Sequence, residues 1–274
     1  TLFVSAVFDW TQSNASTPCG PARTAEGLSP VNGGTLYRPK TDGRRNGAFE
    51  RFVWTFSERV EDTLPVIPNP ESPWKKVTGT HLWTSHAASP DRAKDVAYWK
   101  AVKAAGMTKV IVTDHEVGWR DGNESFTFRT RPAPKKGGDE GMRDFTRHMI
   151  DRLGYLYGPY NNYTDFAPVN GYWSADRVAR FADGNLQPAW NRCYSPKPVW
   201  TVEACEEIVP ELQRKFAFNS GYCDVHTCVT PWQRCDYDAR VPGAGTFAQT
   251  FYSYGELLTL QRKFWNGPVF SEGG

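Results

Sequence analysis

The chain has 274 residues, 39% hydrophobic and 23% charged, so a globular core is its default and disorder is not. Its formal charge of +2 comes with no basic stripe, which argues against nucleic acid as a partner. No run of eighteen apolar residues is present that would span a membrane.

From the N-terminus, residues 3–10 and 49–57 read as strands, rich in Phe, Val and Trp. Between them, residues 21–47 are dominated by Gly, Pro, Asn and Arg and read as loop. Residues 65–73 form a proline-dense connector, stiff and extended. Residues 1–73 therefore read as the end of a β-sandwich-like domain plus a Pro-rich linker. The opening Thr1-Leu2-Phe3-Val4 has no initiator Met and no charged leader, and the chain stops just after a strand. The expectation is a fragment of a longer protein, with an extracellular or periplasmic setting favoured over others.

From residue 76 onward, strands and helices alternate. Residues 77–83 read as a strand. The next helix opens at Ser89-Pro90-Asp91, with Pro at the first helical position, and Gly106 closes it. Its apolar positions are Ala93, Val96, Ala97, Trp99, Ala101 and Val102. Residues 109–115 contain the continuous apolar run of a buried parallel strand. A loop through Trp119, Arg129 and Arg131 leads to a helix over 139–153 and a strand over 154–160. The excursion 161–201 is too long to be an idle connection. A helix follows over 202–219, which Pro210 kinks or splits. Then come a strand over 222–227, a helix over 246–265 and a strand over 268–271. The fold class is α/β. The alternation predicts a parallel sheet, and residues 74–274 read as the N-terminal part of a TIM-like (β/α)8 barrel with about five β/α units present. A doubly wound open sheet is the alternative, but no Gly-x-Gly-x-x-Gly turn follows any strand.

Cysteine usage is weakly informative. Cys19, Cys193, Cys205, Cys223, Cys228 and Cys235 are even in number, but a chain this long does not need staples. His226 between Cys223 and Cys228 raises zinc, yet the spacing matches no standard site, so thiols are expected ahead of disulfides or metal. No metal and no cofactor is assigned. Sequons begin at Asn14, Asn123 and Asn162 at a frequency that chance supplies.

Aromatic residues make up 14% of the chain, and Trp83, Trp119, Trp173, Trp190 and Trp232 fall in loop-like contexts. Exposed ring faces suit the apolar faces of sugars, although a Trp can equally anchor a loop to the core. In a β/α barrel the side chains ending the strands face one mouth. Those residues are His81 and Trp83, then Asp114, His115 and Glu116, then Tyr160 to Tyr163, then Asp224 and His226, and finally Glu272. Two carboxylates across one cleft are the equipment for cleaving a glycosidic bond, about 5–5.5 Å apart for retention. Neighbouring strands about 4.8 Å apart can supply that separation. Asp224 and Glu272 are the candidate catalytic pair; Asp114, His115, His226, Trp232, Trp83 and Tyr160 are candidate sugar contacts. The blander reading makes the two acids caps or ion-pair partners.

The stretches Tyr222-Cys223-Asp224-Val225-His226-Thr227 and Pro268-Val269-Phe270-Ser271-Glu272-Gly273-Gly274 resemble the endo-α-N-acetylgalactosaminidase type of retaining glycoside hydrolase. That group carries a large β-sandwich before its barrel. The resemblance spans roughly residues 49–274 and rests on short motifs. It implies Asp224 as nucleophile, Glu272 as acid/base, and α-linked galactose-type sugars as the substrate class. Two other functions stay open: a non-catalytic carbohydrate-binding barrel, and a metal-dependent hydrolase using Asp114, His115 and His226.

Overall fold

The computed structural model describes residues 1–18, 22–24, 27–29, 35–64, 70–86, 91–115 and 128–273. They form two compact units. The first gathers Thr1–Glu71, Ala179–Leu186 and Thr230–Tyr252; the second gathers Ser72–Val178, Gln187–Val229 and Ser253–Gly274. Local composition does not signal that two later segments rejoin the first unit.

The first unit is built on short antiparallel pairs. Strand β1 (Phe3–Phe8) is followed by β2 (Thr17–Pro18), β3 (Ala22–Thr24), β4 (Gly27–Ser29), β5 (Thr35–Leu36) and β6 (Phe52–Ser57). β1 pairs with β6, β2 with β5 and β3 with β4. Strands thus occur inside the segment expected to be loop. The β1–β6 ribbon sets Val4 opposite Phe56 and Phe8 opposite Phe52. The unit's core is aromatic: Trp10 packs on Phe247 at 5.9 Å and on Phe251 at 4.9 Å between ring centroids. The Ser16 hydroxyl donates to the Gly245 carbonyl at 2.7 Å.

The second unit holds five parallel strands in the order β7-β8-β9-β10-β11: β7 (Leu82–His86), β8 (Val110–Asp114), β9 (Leu156–Asn162), β10 (Gly221–Thr227) and β11 (Val269–Gly273). The intervening helices are α1 (Lys75–Thr78), α2 (Arg92–Ala104), α3 (Gly138–Arg147), α4 (Pro198–Phe216) and α5 (Phe247–Trp265), the last belonging to the first unit up to Tyr252 and to the second from Ser253. Four expectations need correcting. Residues 75–78 are one helical turn closed by the Gly79 N–H on the Lys75 carbonyl, so the first strand starts at Leu82. α2 is capped by Asp91, whose carboxylate accepts from the Ala93 N–H at 2.9 Å; Ser89 and Pro90 lie outside the described residues. Its buried positions are Asp95 and Trp99, while Ala93, Ala97 and Ala101 are exposed. Pro210 does not split α4. The missing N–H costs about 3 kcal/mol in a helix interior, but Ala204, Cys205, Ile208, Val209, Leu212 and Phe216 bury a stripe on both sides of it.

Strand alternation divides the sheet into two faces. On one, His86 meets Trp99 at 5.6 Å and Phe145 at 5.7 Å, and Tyr157 meets Phe145 at 5.6 Å, so this is the helix side. On the other, Trp83 of β7 lies 5.7 Å from the Tyr222 ring of β10 and 6.3 Å from the Phe270 ring of β11. A flat sheet would separate β7 and β11 by four strand spacings, about 19 Å. Rings from the two edges meet because the sheet curls into a half-barrel, with Trp83, Tyr160, Tyr222 and Phe270 on its concave side. Gly158 is required where β9 passes the chain entering β10: a Cβ there would stand 1.7 Å from the Ser220 carbonyl oxygen.

Candidate active site

The last turn of register brings chemistry to the concave side. β9 and β10 align Tyr160 with Tyr222 and Asn162 with Asp224. β10 and β11 align Tyr222 with Phe270 and Cys223 with Ser271, so Asp224 and Glu272 follow one another on adjacent strands. Between Cys223 and Thr227 the register shifts, and Val225 takes φ 72°. A β-branched residue in the left-handed region costs about 1–3 kcal/mol and persists where the surroundings enforce it. The enforcing bonds are the Cys228 and Val229 N–H groups, both donating to the Val225 carbonyl at 3.2 Å. The bulge brings Cys228 back over the strand end, where its thiol donates to Glu272 Oε2 at 3.1 Å. The Thr227 hydroxyl donates to the Glu272 carbonyl.

The Tyr160 hydroxyl donates to Asp224 Oδ2 at 2.6 Å. Two further groups register both acids at once. Burial, then the charge and hydrogen bond of Asp224 and the charges of Glu272 and Cys228, hold the Tyr222 phenol above its ordinary range. Partial burial of its sulfur, then the hydrogen bond to Glu272 and the charges of Glu272 and Asp224, push the Cys228 thiol up to about 11. Asp224, Glu272, Tyr222, Cys228 and Tyr160 therefore share one electrostatic neighbourhood. Neither Tyr222 nor Cys228 was a candidate from sequence. Tyr222 was available from the period-two rule, being two residues before Asp224; Cys228 depends on the bulge and left no signal.

The remaining candidates divide. Trp83, 41% exposed, stacks on Tyr222 and anchors its indole N–H on the Thr113 hydroxyl at 3.1 Å. His115 packs on Tyr160 with ring centroids 4.6 Å apart and the rings tilted, and is half-buried. Both stand with the acids. His226 is buried behind them, its ring against Tyr254 at 4.5 Å and Tyr163 at 6.2 Å, with Nδ1 2.6 Å from the Asp224 carbonyl oxygen. Trp232 packs on Phe247 at 6.1 Å, within the first unit.

Asp114 is turned to the opposite face, which corrects its placement at the mouth. As the fifth residue of β8 it follows Val110 and Val112 onto the helix side, is fully buried, and accepts from the Tyr157 hydroxyl at 2.5 Å. Burial pushes its carboxyl up, against the opposing pull of Arg92, His86, Tyr157 and Lys136. Beside it lies a buried ion cluster: Asp95 with Lys136 at 3.2 Å, with Arg92 at 3.5 Å and with His86 at 3.6 Å. Asp114, His115 and His226 thus point three ways. Among the described residues, no group of three His, Cys, Asp or Glu side chains could hold a metal.

The long excursion after β9 folds on aromatic contacts. Trp173 packs between Phe166 at 4.9 Å and Tyr194 at 5.4 Å, and Trp200 stacks on Phe166 at 5.4 Å. Trp173 is therefore a loop anchor. Asn162, which begins a sequon, is 1% exposed with its amide engaged, so it cannot accept a glycan in the folded chain. Glu116 and Trp119 lie outside the described residues. Cys205 and Cys223 are buried thiols, not disulfides.

Comparison with known proteins places this fold. No family model matches the chain, and no curated protein matches it. Among solved structures, the ligand-free α-N-acetylgalactosaminidase NagBb of Bifidobacterium bifidum superposes with TM-score 0.68 at 13% identity, covering 99% of this chain and 50% of that one. Its N-acetylgalactosamine complex gives 0.60 at 14% identity, covering 70% and 34%. The α-galactosidase of Lactobacillus brevis gives 0.53 at 11% identity, covering 71% and 27%. The chain spans half the length or less of each. At these identities the likeness is one of fold: part of an α/β barrel and, in the match that covers 99% of the chain, a β-rich region as well.

Proposed function

We propose that the chain is part of a retaining glycoside hydrolase acting on α-linked galactose-type sugars, with Asp224 as nucleophile and Glu272 as acid/base. The observation that carries this reading is the convergence of both acids, from adjacent parallel strands, on a neighbourhood shared with Tyr222 and Cys228 on the aromatic side of a half-barrel. The solved structures of like fold are named as α-N-acetylgalactosaminidases and α-galactosidases, which supplies the sugar class.

In the first step, an Asp224 carboxylate oxygen bonds to the anomeric carbon as the bond to the leaving oxygen breaks, and Glu272 gives its proton to that oxygen. In the second, Glu272 takes a proton from water, the water oxygen bonds to the anomeric carbon, and the bond to Asp224 breaks. Two inversions give retention. Trp83 and His115 offer ring faces to the sugar, while His226 braces the carbonyl of Asp224 from behind.

The test uses the full-length protein with 4-nitrophenyl α-D-galactopyranoside and its 2-acetamido-2-deoxy counterpart. Asp224→Gly lowers kcat by at least about a thousandfold. Added azide, replacing the missing carboxylate, restores release of nitrophenol and yields the β-glycosyl azide. Glu272→Ala loses far less on these activated glycosides than on unactivated ones, because nitrophenolate leaves without a proton. Wild-type inactivity on both probes overturns the substrate class; undiminished hydrolysis by Asp224→Gly overturns the nucleophile.

A further inference from the structure

We infer that Tyr160 is a positioning residue for Asp224 rather than a sugar contact, and that Asn162 and Asp165 hold its hydroxyl in the donating orientation. This rests on the assignment of Asp224 as nucleophile. Tyr160 is 3% exposed and its ring is fixed between His115 and Tyr222, so the phenol has no path toward a ligand. A phenol has one hydrogen to give. Here it goes to Asp224 Oδ2 at 2.6 Å, the short range of a hydroxyl bonded to a carboxylate.

The oxygen side of that phenol faces the Asn162 amide nitrogen at 3.4 Å. Asn162 cannot turn its amide over. Its Oδ1 accepts from the Thr164 N–H at 2.8 Å, the Asp165 N–H at 3.0 Å and the Thr164 hydroxyl at 3.1 Å, so a flip would set an NH2 against two backbone donors. Its Nδ2 is drawn to Asp165 Oδ2 at 2.7 Å. Asp165 Oδ1 in turn accepts from the Trp190 N–H at 3.1 Å, in the far limb of the long excursion. Asn162 and Asp165 are 1% and 4% exposed, which keeps water from substituting for any of these bonds. The chain of contacts runs from the excursion, through Asp165, Asn162 and Tyr160, to the nucleophile.

Its chemical use is greatest in the second step. While Asp224 is esterified to the sugar its free oxygen carries little charge; as the ester bond breaks, full carboxylate charge returns, and a donor already aimed at Oδ2 binds that transition state more strongly than the intermediate.

The experiment compares Tyr160→Phe with wild type in the full-length protein, on whichever of the two nitrophenyl glycosides is hydrolysed. Loss of one hydrogen bond to a charged group predicts a fall in kcat of about ten- to hundredfold, with KM within about twofold. The deciding arm places Tyr160→Phe in the Asp224→Gly enzyme with azide. A residue that works only through Asp224 costs nothing further there, whereas a residue that supports the fold costs as much as before. Asp165→Asn, which leaves one acceptor oxygen for two donors, the Asn162 amide and the Trp190 N–H, shifts kcat the same way by less. A rise in KM at constant kcat, an undiminished Tyr160→Phe enzyme, or an equal loss in the azide-restored enzyme overturns the inference while leaving the nucleophile in place. Normal hydrolysis by Asp224→Gly removes both together.

Discussion

Cys228 is a residue whose chemistry the site alters. A thiol reacts as its thiolate, and here partial burial and then two carboxylates push it up to about 11, so at neutral pH it keeps its proton and donates to Glu272. Exposure alone would mark it as reactive; the retained proton makes it slow. Iodoacetamide should therefore label Cys228 in the folded full-length protein more slowly at pH 8 than it labels an unperturbed thiol. Glu272→Gln removes one of the two charges, and each unit by which the thiol comes down gives about tenfold more thiolate. Labelling of the Cys228 peptide, followed by mass spectrometry, should accelerate several-fold in that variant, while the buried Cys205 and Cys223 stay unlabelled. An unchanged rate would separate Cys228 from Glu272. At this scale strand-end position was the signal that named Asp224 and Glu272, and ring contacts set Trp83 beside Tyr222 and His115 beside Tyr160. Asp114 was misplaced because a strand-end rule ignores which face the alternation selects, and Val110 and Val112 on the same face already indicated the helix side.

Elements were legible where one force dominated their composition. β8 reads as a buried parallel strand because both its faces are covered, and all five of its residues are buried. The segment 77–83 misleads, since the β-branched Val77, Thr78 and Thr80 suit a strand, whereas the Gly79 N–H closes a helical turn. Helix α2 misleads in another way: counting Ala as apolar and Asp as polar inverts its face, because Asp95 is held inside by Lys136, Arg92 and His86. That cluster joins β7 to α2, and it makes a prediction about pH. The Trp99 indole donates to His86 Nδ1 at 3.3 Å, so the proton of the neutral ring sits on Nε2, toward Asp95. Burial lowers the proton affinity of His86; Asp114 and Asp95 oppose this, and Arg92 and Lys136 reinforce it. With a folded value below 6.5, the unfolded chain binds the proton more readily. The contribution is thus fully present above pH 6.5 and is lost as pH falls below it, by at most about 1.4 kcal/mol per pH unit. Tm measured from pH 7.5 to 5.5 should fall in the wild type and fall less steeply in His86→Gln, which cannot titrate there. Equal slopes would remove His86 from the acid response.

At the scale of the molecule, alternation was enough to indicate a parallel α/β sheet, because period and element length survive local errors. The barrel-like curl expected from it is present in the five strands, but the contacts that draw the edges together, Trp83 on Tyr222 and Phe270 across strands far apart in sequence, were not legible. Nor was the return of Ala179–Leu186 and Thr230–Tyr252 to the first unit, which no local pattern encodes. The surface adds a consequence. On the β1–β6 ribbon, Phe52, Trp54 and Phe56 are 62%, 64% and 62% exposed on one face, and Val4, opposite Phe56, is 52% exposed. Large aromatic side chains in a contiguous row at that exposure drive association in water. The 274-residue polypeptide, purified as such, should self-associate with rising concentration toward roughly 100 μM. Replacing Phe52, Trp54 and Phe56 together by Thr keeps β propensity while removing the apolar face, and should shift the population toward monomer in light scattering coupled to size-exclusion chromatography. Circular dichroism of the triple variant distinguishes lost stickiness from lost fold. A wild-type chain monomeric across that range, or a triple variant that associates as before with its fold intact, would show that this ribbon does not govern association, and the edges of β7 and β11, which pair with no further strand among the described residues, would be the surfaces to alter next.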